Sequence, residues 1–153
     1  MKADSNGIHP FSDSPANSVT GPDHRKVISL KEKGKEYRAI NDKEKSCVIL
    51  QIDGGIISGN TGSRCDKGLI VIDDNTFYLV ELKGVDLSTA CIQLRVTLDY
   101  FQQELKVWDY DYRCRAVVAK MPSSENYPTS YRILKKRLKD KLLCKSRVLE
   151  EHI

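Results

Sequence analysis

Three short apolar runs, each closed by turn residues and followed by one long amphipathic segment, constrain this chain more than any other feature. Residues 47–53 (CVILQID) stop at Gly54-Gly55, residues 68–72 (GLIVI) run into Asp73-Asp74-Asn75, and residues 76–82 (TFYLVEL) end just before Gly84. Runs of this length, rich in β-branched and aromatic residues and bounded by Gly, Asp and Asn, read as strands. Joined by short turns, they predict an antiparallel meander. From 86 to 105, Leu87, Ala90, Cys91, Leu94, Leu98, Phe101 and Leu105 recur at three- and four-residue steps, and Asp86 is suited to cap the start. That spacing predicts an amphipathic helix. Residues 115–121 (RAVVAKM) predict a fourth strand, stopped by Pro122. Residues 131–143 align Ile133, Leu134, Leu138 and Leu142 in one stripe and predict a last helix. Ahead of the meander, Val27, Leu30, Gly34, Tyr37 and Ile40 fall near helical spacing and predict a first helix over 25–40, although Gly34 costs about 1 kcal/mol in a helix interior. The order helix, three strands, helix, strand, helix points to an α/β fold, a central mixed four-stranded sheet flanked by helices.

Length and composition set the frame. At 153 residues the chain has room for one core. Residues 1–24 hold Pro10, Pro15, Pro22, Gly7 and Gly21 among small polar residues, too few apolar anchors to offset ordering entropy, so they are expected to be a flexible tail before a single domain over 25–153. No stretch approaches the ~18–20 apolar residues of a membrane span, which excludes an integral membrane helix. The first residues lack the basic start and apolar middle of a secretory leader, so a cytoplasmic protein is expected. Five cysteines without a CxxC pair fit reduced thiols, and His9, His24 and His152 lie at the chain ends, far from zinc-ligand spacing.

The chemistry lies at the strand ends. Asp66 stands at the start of the second strand, and Glu81-Leu82-Lys83 closes the third. Residues two apart on a strand share a face, so Glu81 and Lys83 project together while Leu82 turns the other way. If the second and third strands pair through the turn at 73–75, Asp66 comes beside Glu81. Two carboxylates and a main-chain carbonyl, that of Leu82, are hard oxygen donors suited to Mg²⁺ or Mn²⁺. A water on such an ion is a candidate nucleophile, and Lys83 can orient it or offset developing negative charge on a phosphate. An E-x-K triplet alone is weak, since Glu104-Leu105-Lys106 repeats it at a helix end without a paired acid. The plainer alternative for Asp66, Glu81 and Lys83 is an exposed cross-strand salt bridge worth about 0–1 kcal/mol.

The run Arg64-Cys65-Asp66, GLIVI, FYLVELKG and then a helix bearing Gln93 resembles the core of the PD-(D/E)XK nuclease superfamily, which includes restriction enzymes, resolvases and repair nucleases. The topological likeness covers roughly residues 25–121, with motif detail from Asp66 to Gln93. It implies a restriction-endonuclease-like αβββαβ core in which Asp66 and Glu81 bind the metal, Lys83 is the catalytic lysine and Gln93 assists. Cys65 stands where many members have proline. Many also carry a glutamate on the first helix, a place for Glu32 or Glu36, and Asp53 before Gly54-Gly55 is another candidate acid.

Arg132, Lys135, Lys136, Arg137 and Lys139 crowd the C-terminal segment, with Lys141, Lys145 and Arg147 following. The whole chain carries only +4, so this local concentration, rather than net charge, suggests a phosphate-tracking surface. The polar face of a solvated helix would look the same. The expectation is therefore a metal-dependent nuclease acting on nucleic acid, DNA before RNA, with a homodimer or partner protein needed to cut both strands in a defined way. A non-catalytic nucleic-acid-binding or protein-inhibitory module on the same fold is the alternative, and an interaction protein using residues 1–24 is the third.

Overall fold

The computed structural model describes residues 10, 11, 14, 16–57, 64–84, 86–104 and 109–153. Along the chain run β1 (Val19–Asp23), β2 (Val27–Glu32), β3 (Lys35–Ile40), β4 (Cys47–Gln51), β5 (Lys67–Val71), β6 (Thr76–Glu81), α1 (Leu87–Asp99), β7 (Asp111–Val118), α2 (Thr129–Leu138), β8 (Leu142–Ser146) and β9 (Val148–His152). The meander is present: β4 pairs antiparallel with β5, and β5 with β6. Helix α1, capped by Asp86 accepting from the Thr89 amide at 2.7 Å, then returns the chain so that β7 lies parallel to β6. The result is a mixed α/β sheet with two helices.

That sheet has six strands, in the order β1-β4-β5-β6-β7-β8, rather than four. Both extra strands come from segments expected to do something else. β1 belongs to the stretch read as a tail and pairs antiparallel with β4. Farther out, Phe11 is buried, edge-on to Phe77 and Phe101 with ring centroids 5.9 and 5.6 Å away. One aromatic ring and one strand tie down a segment whose local composition favours disorder. At the other end, α2 stops at Leu138 and Lys139 takes φ +55°, so the predicted helix is shorter and 142–146 becomes β8, parallel to β7.

The helix expected over 25–40 is absent. Those residues form the β2–β3 hairpin, with Glu32 opposite Lys35 and both turn residues, Lys33 and Gly34, at positive φ. Two-residue turns of that kind match the strand twist, and glycine at the second position makes one accessible. The buried residues Ile28, Leu30, Tyr37 and Ala39 alternate, which is the period of a strand. β9 joins this hairpin by pairing parallel with β3, making a second sheet of order β2-β3-β9.

Three layers follow from which side chains each face buries. On one side of the six-stranded sheet, Val48, Leu50, Ile70, Phe77, Leu79, Cys114 and Ala116 meet Leu87, Ala90, Leu94 and Leu98 of α1 and Leu134 of α2. On the other side, Leu69, Val71, Tyr78, Val80 and Val117 meet Ile28, Leu30, Tyr37, Ala39 and Leu149 of the small sheet. Among the described residues, a buried arginine forms an ion pair across that second interface. Arg115, only 2% exposed, binds Glu151 of β9 through two contacts of 2.6 and 3.1 Å, and the Tyr37 hydroxyl donates to the same carboxylate at 2.7 Å.

Candidate functional site

Register decides the site's geometry. Lys67 of β5 stands opposite Val80 of β6, so one step further Asp66 stands opposite Glu81. Phe77 and Leu79 face the helices, so by alternation Glu81 and Lys83 continue that face, whereas Val80 and Leu82 are buried against the small sheet. Asp66 closes the arrangement: its Oδ2 accepts from the amides of Leu82 and Lys83, both at 2.6 Å, and its Oδ1 lies 3.6 Å from Lys83 Nζ. The Lys83 amide also reaches Glu81 Oε1 at 3.0 Å. The three residues expected to converge are therefore brought together on one sheet rim.

Both acids are removed from water, Asp66 at 1% and Glu81 at 0% exposure, while the Lys83 side chain is 37% exposed. Burial first, then the hydrogen bond and charge of Asp66, push the Glu81 carboxyl up to about 9; the Lys83 and Leu82 amides pull the other way. At neutral pH the Glu81 carboxyl is thus protonated. No described residue donates a hydrogen bond to its buried Oε2, or to the buried Oε1 of Gln93. A buried carboxyl oxygen left without a donor is costly and is the kind of atom that a cation satisfies.

Helix α1 supplies the roof. A side chain at position 84 would place its Cβ 3.2 Å from the Ala90 Cβ and 3.6 Å from the Glu81 Cγ, so Gly84 lets the helix descend onto Glu81. One turn along the same face comes Gln93, and one turn beyond it Thr97, whose hydroxyl donates to the Gln93 carbonyl at 2.8 Å and accepts from the Cys65 amide at 2.9 Å. Gln93 lies between a contact with the Glu81 side and a contact with the residue before Asp66. Thr97 and Gly84 are the positioning residues that sequence reasoning missed. Nothing local singles them out, because their roles exist only where α1 crosses the strand ends.

The additional acids fare differently. The Asp53 amide, with that of Ile52, points at the main-chain carbonyl of Asp66, at 3.4 and 3.0 Å, so Asp53 is a neighbour of the site through its backbone. Glu36 lies on β3 of the small sheet, taken up by the Ser29 hydroxyl at 2.5 Å and by Arg38 at 2.8 Å. Glu32 pairs with Lys67 at 3.6 Å, and Lys67, next along β5 from Asp66, belongs to the opposite face of the large sheet. Neither can supply the acid expected of a first helix, since that segment is a hairpin behind the sheet. Among the described residues no three His, Cys, Asp or Glu side chains are grouped to hold a metal. A cation at Asp66 and Glu81 would complete its shell with main-chain oxygen and water, which suits Mg²⁺.

The basic residues of α2 divide into two sets. Arg132 donates to the Tyr127 carbonyl at 3.0 Å, Lys135 to the Leu142 carbonyl at 2.9 Å, and Arg137 to Asp99 and Gln102 of the α1 region, each at 2.7 Å. Lys136 and Lys139 are exposed, as are Lys145 and Arg147 beyond them. α2 starts beside α1, where the Ser130 hydroxyl donates to the Ser88 carbonyl at 2.9 Å. Between them, past the C-terminal ends of β6 and β7, opens a cleft of about 440 Å³ lined by residues including Leu87, Ser88, Lys120, Met121 and Asn126. Of the repeated ELK triplet, Glu104 ends a π-helical turn after α1, and Leu105 and Lys106 lie outside the described residues, as does Trp108. No described helix is long and apolar enough to cross a membrane.

The chain matches no protein-family model, no curated protein and no solved structure.

Proposed function

We propose that the chain is a metal-dependent nuclease that hydrolyses phosphodiester bonds, DNA before RNA, with β4-β5-β6-α1-β7 as a restriction-endonuclease-like core. The observation that carries this reading is the buried carboxyl pair of Asp66 and Glu81, with the partly exposed Lys83 Nζ 3.6 Å from Asp66 Oδ1. A salt bridge built only for stability needs neither a protonated acid nor an unsatisfied oxygen. Glu81 and Lys83 stand at the carboxyl end of β6, the side of an α/β sheet on which ligands commonly bind, while the neighbouring cleft is lined by other residues.

Asp66, Glu81 and the Leu82 carbonyl would hold Mg²⁺ or Mn²⁺. Bound there, the ion supplies positive charge that acidifies a water and draws electron density from a phosphate. Glu81 releases its proton as the site loads, so metal affinity rises with pH. Lys83 Nζ would offer N–H to the attacking water or to phosphoryl oxygens where negative charge builds. Gln93 Oε1, without a partner of its own, is available to orient that water. Lys136 and Lys139 meet the backbone of the nucleic acid by charge alone. The test is cleavage of plasmid, linear and single-stranded substrates with Mg²⁺ or Mn²⁺ by the wild type, Asp66→Ala and Lys83→Ala. Equal activity in all three rejects the assignment.

One observation favours a second reading. Asp66 and Glu81 are sealed from solvent, and the hairpin β2–β3 stands where an acid-bearing helix would be expected, which suits a non-catalytic scaffold that binds nucleic acid or another protein. Mn²⁺ titration separates the two: binding lost in Glu81→Gln supports the enzyme, and nucleic-acid affinity without metal binding supports the scaffold.

A further inference from the structure

Behind the large sheet lies a recess that the proposed chemistry leaves unused. It has a volume of about 350 Å³ at the tip of the β2–β3 hairpin, lined by Lys31, Glu32, Lys33, Lys35, Glu36 and Val148. Lys35 is the informative member. Only 8% exposed, it has no hydrogen bond or ion pair among the described residues. The two acids of the lining are engaged elsewhere, Glu32 with Lys67 at 3.6 Å and Glu36 with Ser29 and Arg38 at 2.5 and 2.8 Å. Lys31 stands opposite Glu36 in the hairpin register, and Lys33, in the turn, is exposed. A buried ammonium without a counter-charge is costly, and a bound anion removes that cost.

Main-chain bonds fix where the recess stands. The Glu36 amide donates to the Arg147 carbonyl and the Arg147 amide to the Val118 carbonyl, both at 2.9 Å, so the start of β3 is tied to the carboxyl end of β7. Glu81 stands opposite Ala116, which puts Lys83 level with Val118. Neighbouring strands lie ~4.8 Å apart, so the backbones of Lys83 and Arg147 flank Val118 about 10 Å from each other. That span matches about three nucleotides of one strand at roughly 3.4 Å each. Recess and candidate metal site therefore share one rim, on opposite faces of the sheet. Lys33 and Arg147 both hold positive φ, +51° and +66°, where glycine or asparagine is at ease. Long cations kept at such turns suggest a role beyond turning the chain.

We propose that this recess is a phosphate site for the backbone of a nucleic acid, with Lys35 as its buried cation and Lys33 and Arg147 beside it. The choice of nucleic acid rests on the nuclease reading; the cation cluster does not.

The experiment measures binding of a short DNA duplex to the folded full chain over a series of salt concentrations with chelator present, and cleavage separately with Mg²⁺. Wild type is compared with Lys35→Met and with Lys33→Asn combined with Arg147→Gly. The slope of log affinity against log salt should flatten by about 1 in the first variant and about 2 in the second. Both should unfold at a urea midpoint no lower than wild type, since methionine keeps the apolar stem without the buried charge, and asparagine and glycine suit positive φ. Weaker binding then reports lost phosphate contacts. Unchanged slopes in a wild type that binds and cleaves DNA would overturn the phosphate site and leave the nuclease reading standing. Flattened slopes without cleavage by any protein would keep the site and reject the nuclease. A wild type that binds no DNA, or that binds poly-glutamate as tightly, would overturn the proposal. So would unchanged slopes where inorganic phosphate raises the urea midpoint of wild type but not of Lys35→Met, which would assign the recess to the free ion.

Discussion

Replacing Glu81 with glutamine should make the metal-free protein more stable at neutral pH, the opposite of what removing a structural acid does. The sign follows from the direction of the shift. The folded-state carboxyl is pushed up to about 9 against an ordinary value of 4.5, so between these limits the folded chain holds a proton that the unfolded chain has released. Stability is then fully present below pH 4.5 and declines as pH rises towards 9. Integrating from pH 5 to pH 8 gives a loss of about 4 kcal/mol at 1.36 kcal/mol per unit, a large fraction of an ordinary domain's stability of roughly 5–15 kcal/mol. Glutamine keeps the shape and cannot ionise. Urea unfolding of wild type and Glu81→Gln at both pH values, with chelator present, isolates the Glu81 site because groups that do not touch it titrate alike in both proteins. The difference between the proteins should grow by about 4 kcal/mol in favour of the variant at the higher pH. Parallel pH profiles, or a variant less stable at pH 8, would refute a protonated buried Glu81 and with it the reasoning that the acid awaits a cation. Mg²⁺ at a hundred times its Kd should in turn raise wild-type stability by about 2.7 kcal/mol and leave Glu81→Gln unmoved.

Glu151→Ala leaves the Arg115 guanidinium buried and unpaired, and is expected to cost about 3–5 kcal/mol in urea unfolding, whereas Arg115→Met with Glu151→Leu should recover most of it. Phe11→Ala empties a site between two rings and should destabilise by about 3–5 kcal/mol, so deleting residues 1–24 should lower the thermal midpoint; an unchanged midpoint would return that segment to a tail. If α2 meets phosphates, Lys136→Glu with Lys139→Glu should flatten the dependence of log affinity on log salt by about 2, and Arg137→Ala, already engaged by Asp99, should change it less.

The centre of the molecule was legible without coordinates because its signals are local. The runs 47–53, 68–72 and 76–82 carry strand residues between turn residues, and the α1 stripe repeats at helical spacing from a capping aspartate, so the meander, the parallel return and the pairing of Asp66 with Glu81 follow from period and register. Where local patterns were ambiguous, tertiary contacts overrode them. Val27, Leu30, Tyr37 and Ile40 satisfy a helical spacing, but Ile28, Leu30, Tyr37 and Ala39 satisfy an alternating one, and the Lys33-Gly34 turn with that buried face against Leu69 and Val80 selected the hairpin. Residues 142–152 hide two strands behind lysines and glutamates whose partners lie on β7 and β3.

For the site, sequence alone determined which acids and which lysine share a face, because strand periodicity is a property of the backbone. Only the tertiary structure decided how dry that face is. The descent of α1 over Gly84 and the anchoring of Thr97 to Cys65 exclude water from Glu81, and that exclusion raises its proton affinity. Solvation depends on everything packed around a group, and no local stretch of residues encodes it.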